Sequence, residues 1–207
     1  MTFFYNFIFI LFIVIYFPYA ILKGKWHRGL LVRLGFFPED LLRSLQHLAS
    51  SKNLWFHAVS VGEILAIIGL VEQMKGRFPG HKIILSTVTK TGYALAQSKF
   101  SKEDMVIYAP MDFSWVVGKF IHLINPVMYI TAETEIWPNL FTALGKKNIP
   151  IIQVNGLISD KSYKSYQKVR GLLRPVLHCV KAFCMQSQTD ADRIKFLGAL
   201  PDCVHVV

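Results

Sequence analysis

Apolar positions follow two rhythms along this chain. Residues 3–22 (FFYNFIFILFIVIYFPYAIL) form a block almost free of polar side chains, and twenty such residues match the length a helix needs to cross a bilayer. A buried or interfacial helix is the alternative, but the block shows no polar face at helical spacing. A second rhythm begins after Asn53, where short apolar runs alternate with longer amphipathic ones. The runs LWFHAV, KIIL, MVIYA, VMYITA, IPIIQVN and AFCMQ read as strands, and the terminal CVHVV as one more. Between them Glu63 to Arg77, Thr91 to Phe100, Phe113 to Ile124, Pro138 to Lys147 and Lys161 to Val180 carry helical spacing. The alternation predicts βαβ units: an α/β fold, a Rossmann-like parallel sheet flanked by helices over 53–207, preceded by one N-terminal transmembrane helix. Residues 23–52 are basic and mixed. Leu30, Leu31, Leu34, Leu41, Leu42, Leu45 and Leu48 predict short amphipathic helices there, in a juxtamembrane segment.

Charge adds a direction. No basic residue precedes the apolar block, whereas Lys23, Lys25, Arg28 and Arg33 follow it, which predicts an N-terminus outside and a domain in the cytoplasm. A cleaved signal peptide would show the reverse order. Lys and Arg number 23 against 13 Asp and Glu, a net +10, and this excess favours a polyanionic partner such as phospholipid, nucleic acid or a phosphorylated substrate. Cys179, Cys184 and Cys203 have neither zinc-site spacing nor the density of a disulfide scaffold, so buried reduced thiols are expected.

In open α/β sheets ligands sit beyond the carboxyl ends of the strands, so the polar strand-to-helix turns hold the candidate chemistry. Ser60 to Glu63 (S-V-G-E) has the spacing of a capping box. Alternatively Gly62 admits a ligand to the backbone while Glu63 serves as a general base. Ser86 to Gly92 (S-T-V-T-K-T-G) offers Thr89, Thr91 and free amides at a helix start, either as caps or as ligands for a phosphate or sugar oxygen. Ala109 to Asp112 reads as a turn with Asp112 as N-cap. In Glu133 to Asn139 (E-T-E-I-W-P-N), Pro138 suits the first helical position. That puts Glu133 and Glu135 at the strand end, where two carboxylates facing one cleft would raise one pKa or hold sugar hydroxyls. No metal site is expected, since no His or third carboxylate has matching local spacing. After Asn155 the run to Tyr166 has Ser159 as a plausible N-cap, and Lys161, Lys164 and Lys168 share one helical face. Gln186, Ser187 and a helix ending at Gly198 complete the set.

Taken in order, these segments resemble the N-terminal domain of bacterial 3-deoxy-D-manno-octulosonic acid (Kdo) transferases, a GT-B-type glycosyltransferase family. The family pattern of a membrane helix, H-A-x-S-x-G-E, T-x-T-x-T-G, P-x-D, E-T-E-x-W-P-N, N-x-x-x-S and Q-S-x-x-D-x-x-R is matched at His57 to Glu63, Thr87 to Gly92, Pro110 to Asp112, Glu133 to Asn139, Asn155 to Ser159 and Gln186 to Arg193.

The resemblance implies inverting, metal-independent transfer of Kdo from CMP-Kdo, with no cofactor, to a lipid A precursor in lipopolysaccharide biosynthesis at the bacterial inner membrane. It makes Glu63 the general base, with Glu133 and Glu135 as second-rank cleft residues. Ser60, Gly62, Thr89, Thr91, Gly92, Asn155 and Lys161 would bind the acceptor. Leu157 stands where many relatives carry Arg. The family's donor-binding lobe has no counterpart in these 207 residues, so an acceptor-binding half, inactive alone, is the expectation. A non-catalytic membrane-surface module that binds lipid A precursor or a partner lobe is the rival reading. No RNP, KH, helix-turn-helix or zinc signature supports nucleic-acid binding.

Overall fold

The computed structural model describes residues 5–6, 29–101 and 103–207. Seven strands form one all-parallel sheet: β1 (Lys52–His57), β2 (His81–Thr87), β3 (Met105–Tyr108), β4 (Pro126–Ala132), β5 (Ile151–Gly156), β6 (Val180–Met185) and β7 (Val204–Val206). Their spatial order is β3-β2-β1-β4-β5-β6-β7, so the seven apolar runs all pair as strands. Chain order reverses between β1 and β4, and in doubly wound sheets this switch point opens a crevice at the carboxyl ends.

Nine helices are described: α1 (Gly29–Arg33), α2 (Glu39–Leu48), α3 (Val61–Arg77), α4 (Lys90–Lys99), α5 (Ser114–Ile124), α6 (Pro138–Lys146), α7 (Asp160–Lys168), α8 (Arg170–Leu177) and α9 (Gln188–Leu197). They cover both faces of the sheet, because side chains alternate along each strand. On one face Leu54, Phe56, Leu85 and Ile130 pack under Ile64, Ile67 and Val71 of α3 and Ala96 of α4. On the other, Trp55, Ile84, Tyr129 and Phe183 pack under the remaining helices.

Two sequence expectations change. Lys161 to Val180 is not one helix but two, α7 and α8, broken at Val169 (φ −117°, ψ 17°). Gly171 and Pro175 both weaken a continuous helix, Pro175 by lacking an N–H. The break lets α8 bury Leu173, Val176 and Leu177, whereas α7 buries nothing. The described part of 23–52 is also no separate element. Val32, Leu45 and Leu48 belong to the core of the domain, and α2 packs on α5.

The expected span, residues 3–22, lies outside the described residues apart from Tyr5 and Asn6. Among the described residues no helix is long and apolar enough to cross a membrane. The Asn6 side chain donates to Ser114 Oγ at 2.9 Å and accepts from Asn139 Nδ2 at 2.7 Å. These bonds set Asn6 against the α/β domain. A single crossing with the N-terminus outside would instead place it on the far side of roughly 30 Å of hydrocarbon, so the expected orientation does not fit the structure.

Candidate functional site

The crevice between β1 and β4 is built from the turns that the sequence singled out. Chain leaving β1 enters α3 through a full capping box. The Ser60 hydroxyl accepts from the Glu63 amide at 3.3 Å, while the Glu63 carboxylate accepts from the amides of Val59 (2.8 Å) and Ser60 (3.2 Å). Glu63 is buried at 5% exposure and Gly62 is exposed. The structural role of Glu63 is therefore real. A carboxylate has about four acceptor positions, so two amides leave capacity for a substrate hydroxyl.

The β2 turn is tied to the same place. Thr87 and Thr89 both donate to the Val59 carbonyl, at 3.1 and 3.3 Å. Thr89 also caps α4 by accepting from the Gly92 amide at 3.0 Å. Gly92 is required by space: a Cβ there would stand 2.8 Å from both the Thr87 and Thr89 hydroxyl oxygens. Thr91 reaches Thr89 Oγ1 at 3.4 Å.

Across the crevice, Glu133 ends β4 in the left-handed region at φ +52°. Its amide donates to Val154 O at 2.9 Å. Strain of this kind in a residue with a Cβ gathers at functional sites. Thr134 locks the turn to the loop after β5 by donating to the Leu157 carbonyl and accepting from the Leu157 amide at 3.1 Å. The residue that departs from the family's Arg thus still serves through its backbone. Asn155, at φ +54°, closes the next strand end, its side chain and carbonyl accepting from Gln186 at 2.9 and 3.2 Å. Ser159 caps α7 as expected. Lys161, Lys164 and Lys168 stand exposed on that helix.

The carboxylates feel one another. Burial first, then the charges of Glu63 and Glu133, push the Glu135 carboxyl up to about 7, against a smaller opposing pull from Arg33. Glu133 is raised too, by burial and then by Glu63. The lift towards neutrality that general-base catalysis rewards is found at Glu135. Among the described residues no group of three or more His, Cys, Asp or Glu side chains is placed to hold a metal ion.

Three side chains under the crevice carry more than their spacing announced. Asp112 caps no helix of its own turn; it caps α6, accepting from the amides of Asn139 (3.0 Å) and Leu140 (2.9 Å). Burial lifts its carboxyl to about 7 in spite of those bonds. His57 sits at 2% exposure with Nδ1 2.9 Å from Ser86 Oγ. Burial, then Arg33, lowers it to about 3, so the ring is neutral. Arg33, read from the sequence only as a topogenic charge, acts on both His57 and Glu135. The H-A-x-S pattern marked His57, but no local signal tied it to Arg33. The last motif is structural: Asp190 accepts from the Ile158 amide at 2.8 Å, and Arg193 donates to the Ile158 carbonyl and to Asp160.

Comparison with known proteins agrees with this architecture. The family model described as 3-deoxy-D-manno-octulosonic-acid transferase (kdotransferase) matches residues 28–207. A bifunctional glycosyltransferase/methyltransferase of Fusobacterium nucleatum is 36% identical over 174 residues, 83% of this chain and 27% of that protein. A 3-deoxy-D-manno-octulosonic acid transferase of Haemophilus influenzae is 31% identical over 147 residues, 71% of this chain and 34% of its own length. Another, of Chlamydia pneumoniae, is 24% identical and is matched over 94% of this chain and 44% of its own. The chain therefore spans between about a quarter and a half of these relatives. A crystal structure of UDP-N-acetylglucosamine 2-epimerase superposes with a TM-score of 0.53 at 12% identity, covering 75% of this chain and 45% of that one; it shows the fold alone.

Proposed function

The chain belongs to the 3-deoxy-D-manno-octulosonic acid transferase family, and on that premise we propose that it is the acceptor-binding half of an enzyme transferring Kdo from CMP-Kdo to a lipid A precursor. The observation that carries the proposal is the convergence of Glu63, Glu133 and Glu135 on the switch point between β1 and β4. An acceptor sugar hydroxyl in this crevice gives its proton to Glu63 while its oxygen attacks the anomeric carbon of the donor sugar. Glu133 and Glu135 hold neighbouring hydroxyls, with Ser60, Gly62, Thr89, Thr91, Gly92 and Asn155 lining the cleft. Lys161 and its neighbours on α7 meet the lipid A phosphates. Transfer inverts the anomeric centre and draws on no metal. The donor is bound by a second lobe, so these residues by themselves are inactive. The basic excess and the apolar block support work at the cytoplasmic face of the bacterial inner membrane.

A second assignment of the base is favoured by one observation. Glu135 is held near 7, close to the operating pH that suits a general base, whereas both oxygens of Glu63 already accept backbone N–H groups.

The test joins this chain to a homologous donor lobe and measures Kdo transfer from CMP-Kdo to a tetra-acylated lipid A precursor. Glu63→Gln should lower kcat by at least roughly 100-fold in a folded protein. Unchanged activity in Glu63→Gln with loss in Glu135→Gln moves the base to Glu135. A fusion that never transfers Kdo but binds lipid A precursor favours a non-catalytic binding module.

A further inference from the structure

The loop at residues 109–114, between β3 and α5, receives two distant parts of the chain. From one side come Tyr5 and Asn6. The Tyr5 hydroxyl donates to the Asp112 carboxylate, and Asn6 donates to Ser114 Oγ at 2.9 Å. From the other comes α1: the Met111 amide donates to the Arg33 carbonyl at 2.8 Å, and Arg33 Nε donates to the Ala109 carbonyl at 3.1 Å. Just before, Gly29 lies so close to Tyr108 that a Cβ would stand 2.4 Å from its ring.

The bonds at the N-terminal end form a closed network. Asn139 Nδ2 donates both to the Asp112 carbonyl and to Asn6 Oδ1. The amides of Asn139 and Leu140 feed the Asp112 carboxylate, which is 1% exposed. Asn6 is the strongly polar residue of an otherwise apolar block, and both ends of its amide are satisfied by the domain. An unpaired amide in hydrocarbon would cost several kcal/mol, so the position of Asn6 has an energetic reason.

We infer that Asp112, Ser114 and Asn139 form a docking site for the chain's own N-terminal end, received through Tyr5 and Asn6. The apolar block thereby leaves and rejoins the domain on one side of a lipid surface. A six-residue loop spans at most about 20 Å fully extended, while the two ends of one bilayer crossing are about 30 Å apart. Both ends meeting residues 109–114 is the signature of attachment from a single side. Because Asn139 also closes the E-T-E-I-W-P-N turn, docking of the block is hydrogen-bonded directly to the element that carries Glu133 and Glu135. Only the lipid identity of the partner surface rests on the function proposed above.

The test is a cross-link in native membranes. Asn6→Cys is combined with Ser114→Cys in a chain whose Cys179, Cys184 and Cys203 are replaced by Ser, and treated with a short bis-methanethiosulfonate reagent. Glu39→Cys with Arg43→Cys, one helical turn apart on α2, is the positive control. Mass spectrometry should recover the peptide pair linked between positions 6 and 114 from most of the protein. Its absence while the control pair links overturns the proposal. So does labelling of the Asn6→Cys variant at that position, in intact spheroplasts, by a membrane-impermeant maleimide. Asn6→Ala, which leaves the domain core untouched, should raise hydrogen exchange at the Asn139 and Leu140 amides at least tenfold; unchanged exchange also overturns it. No readout requires donor or acceptor, so failed Kdo transfer and failed docking are separable.

Discussion

Asp112 accepts the backbone N–H of Asn139 at 3.0 Å although 27 positions separate them. One carboxylate thus caps the helix that begins beyond the Glu133–Glu135 turn, and α6 has no side-chain cap of its own. Asp112→Ala leaves the Asn139 and Leu140 amides without their acceptor inside the protein. Each orphaned donor costs about 1–3 kcal/mol, so a urea midpoint that falls by the equivalent of at least about 2 kcal/mol is expected. A loss below about 0.5 kcal/mol would mean that α6 starts without this cap.

Glu135 makes stability depend on pH with a definite sign. Its carboxyl titrates near 7 in the folded protein and near the ordinary carboxylate range when unfolded. Between about pH 4 and 7 the folded state holds a proton that the unfolded chain releases, so this group's contribution falls as pH rises through that window. Glu135→Gln should therefore be more stable than the parent at pH 8 and equal to it below about pH 4. Asp112 has the same sign, so the variant's slope is reduced and not abolished. Parallel pH–Tm curves for parent and variant would remove Glu135 as a source.

Gly92→Ala forces a Cβ against the Thr87 and Thr89 hydroxyls and within 3.2 Å of Ile64. Overpacking of this kind costs about 1–3 kcal/mol. It should also displace Thr89 from the Val59 carbonyl, weakening acceptor binding more than a remote substitution of equal stability cost would. Acceptor affinity measured by calorimetry alongside thermal unfolding checks both, and an unchanged affinity would detach this turn from the cleft.

Gln153 is fully buried on β5, with neither Nε2 nor Oε1 hydrogen-bonded. It stands in register beside Thr131, which pairs with His57. Gln153→Met keeps the shape and removes an unpaired amide, so a stability equal to the parent or about 1–2 kcal/mol higher is expected from chemical denaturation. A loss greater than about 1 kcal/mol would show that the amide is held by something that Met cannot replace.

Much of this molecule could be read along the chain, and the reason is locality. The strands announced themselves as apolar runs. The caps at Ser60, Thr89, Ser159 and Ser187 each accept from an amide three residues on, a bond that sequence spacing alone specifies. The split of α7 from α8 was less legible. Gly171 and Pro175 mark it, but burial of Leu173, Val176 and Leu177 decided where the helix turned.

By itself the sequence determined the parallel α/β sheet, the family, and which turns carry carboxylates and hydroxyls, because these follow from periodicity and contacts a few residues long. Tertiary structure alone decided that β1 lies beside β4, which brings Glu63 across from Glu133 and Glu135. It also decided that Asp112 caps α6, that burial carries the lift towards 7 to Glu135, and that Asn6 meets Ser114. Each of these depends on strand order and on which groups lose their water, and no spacing along the chain encodes either.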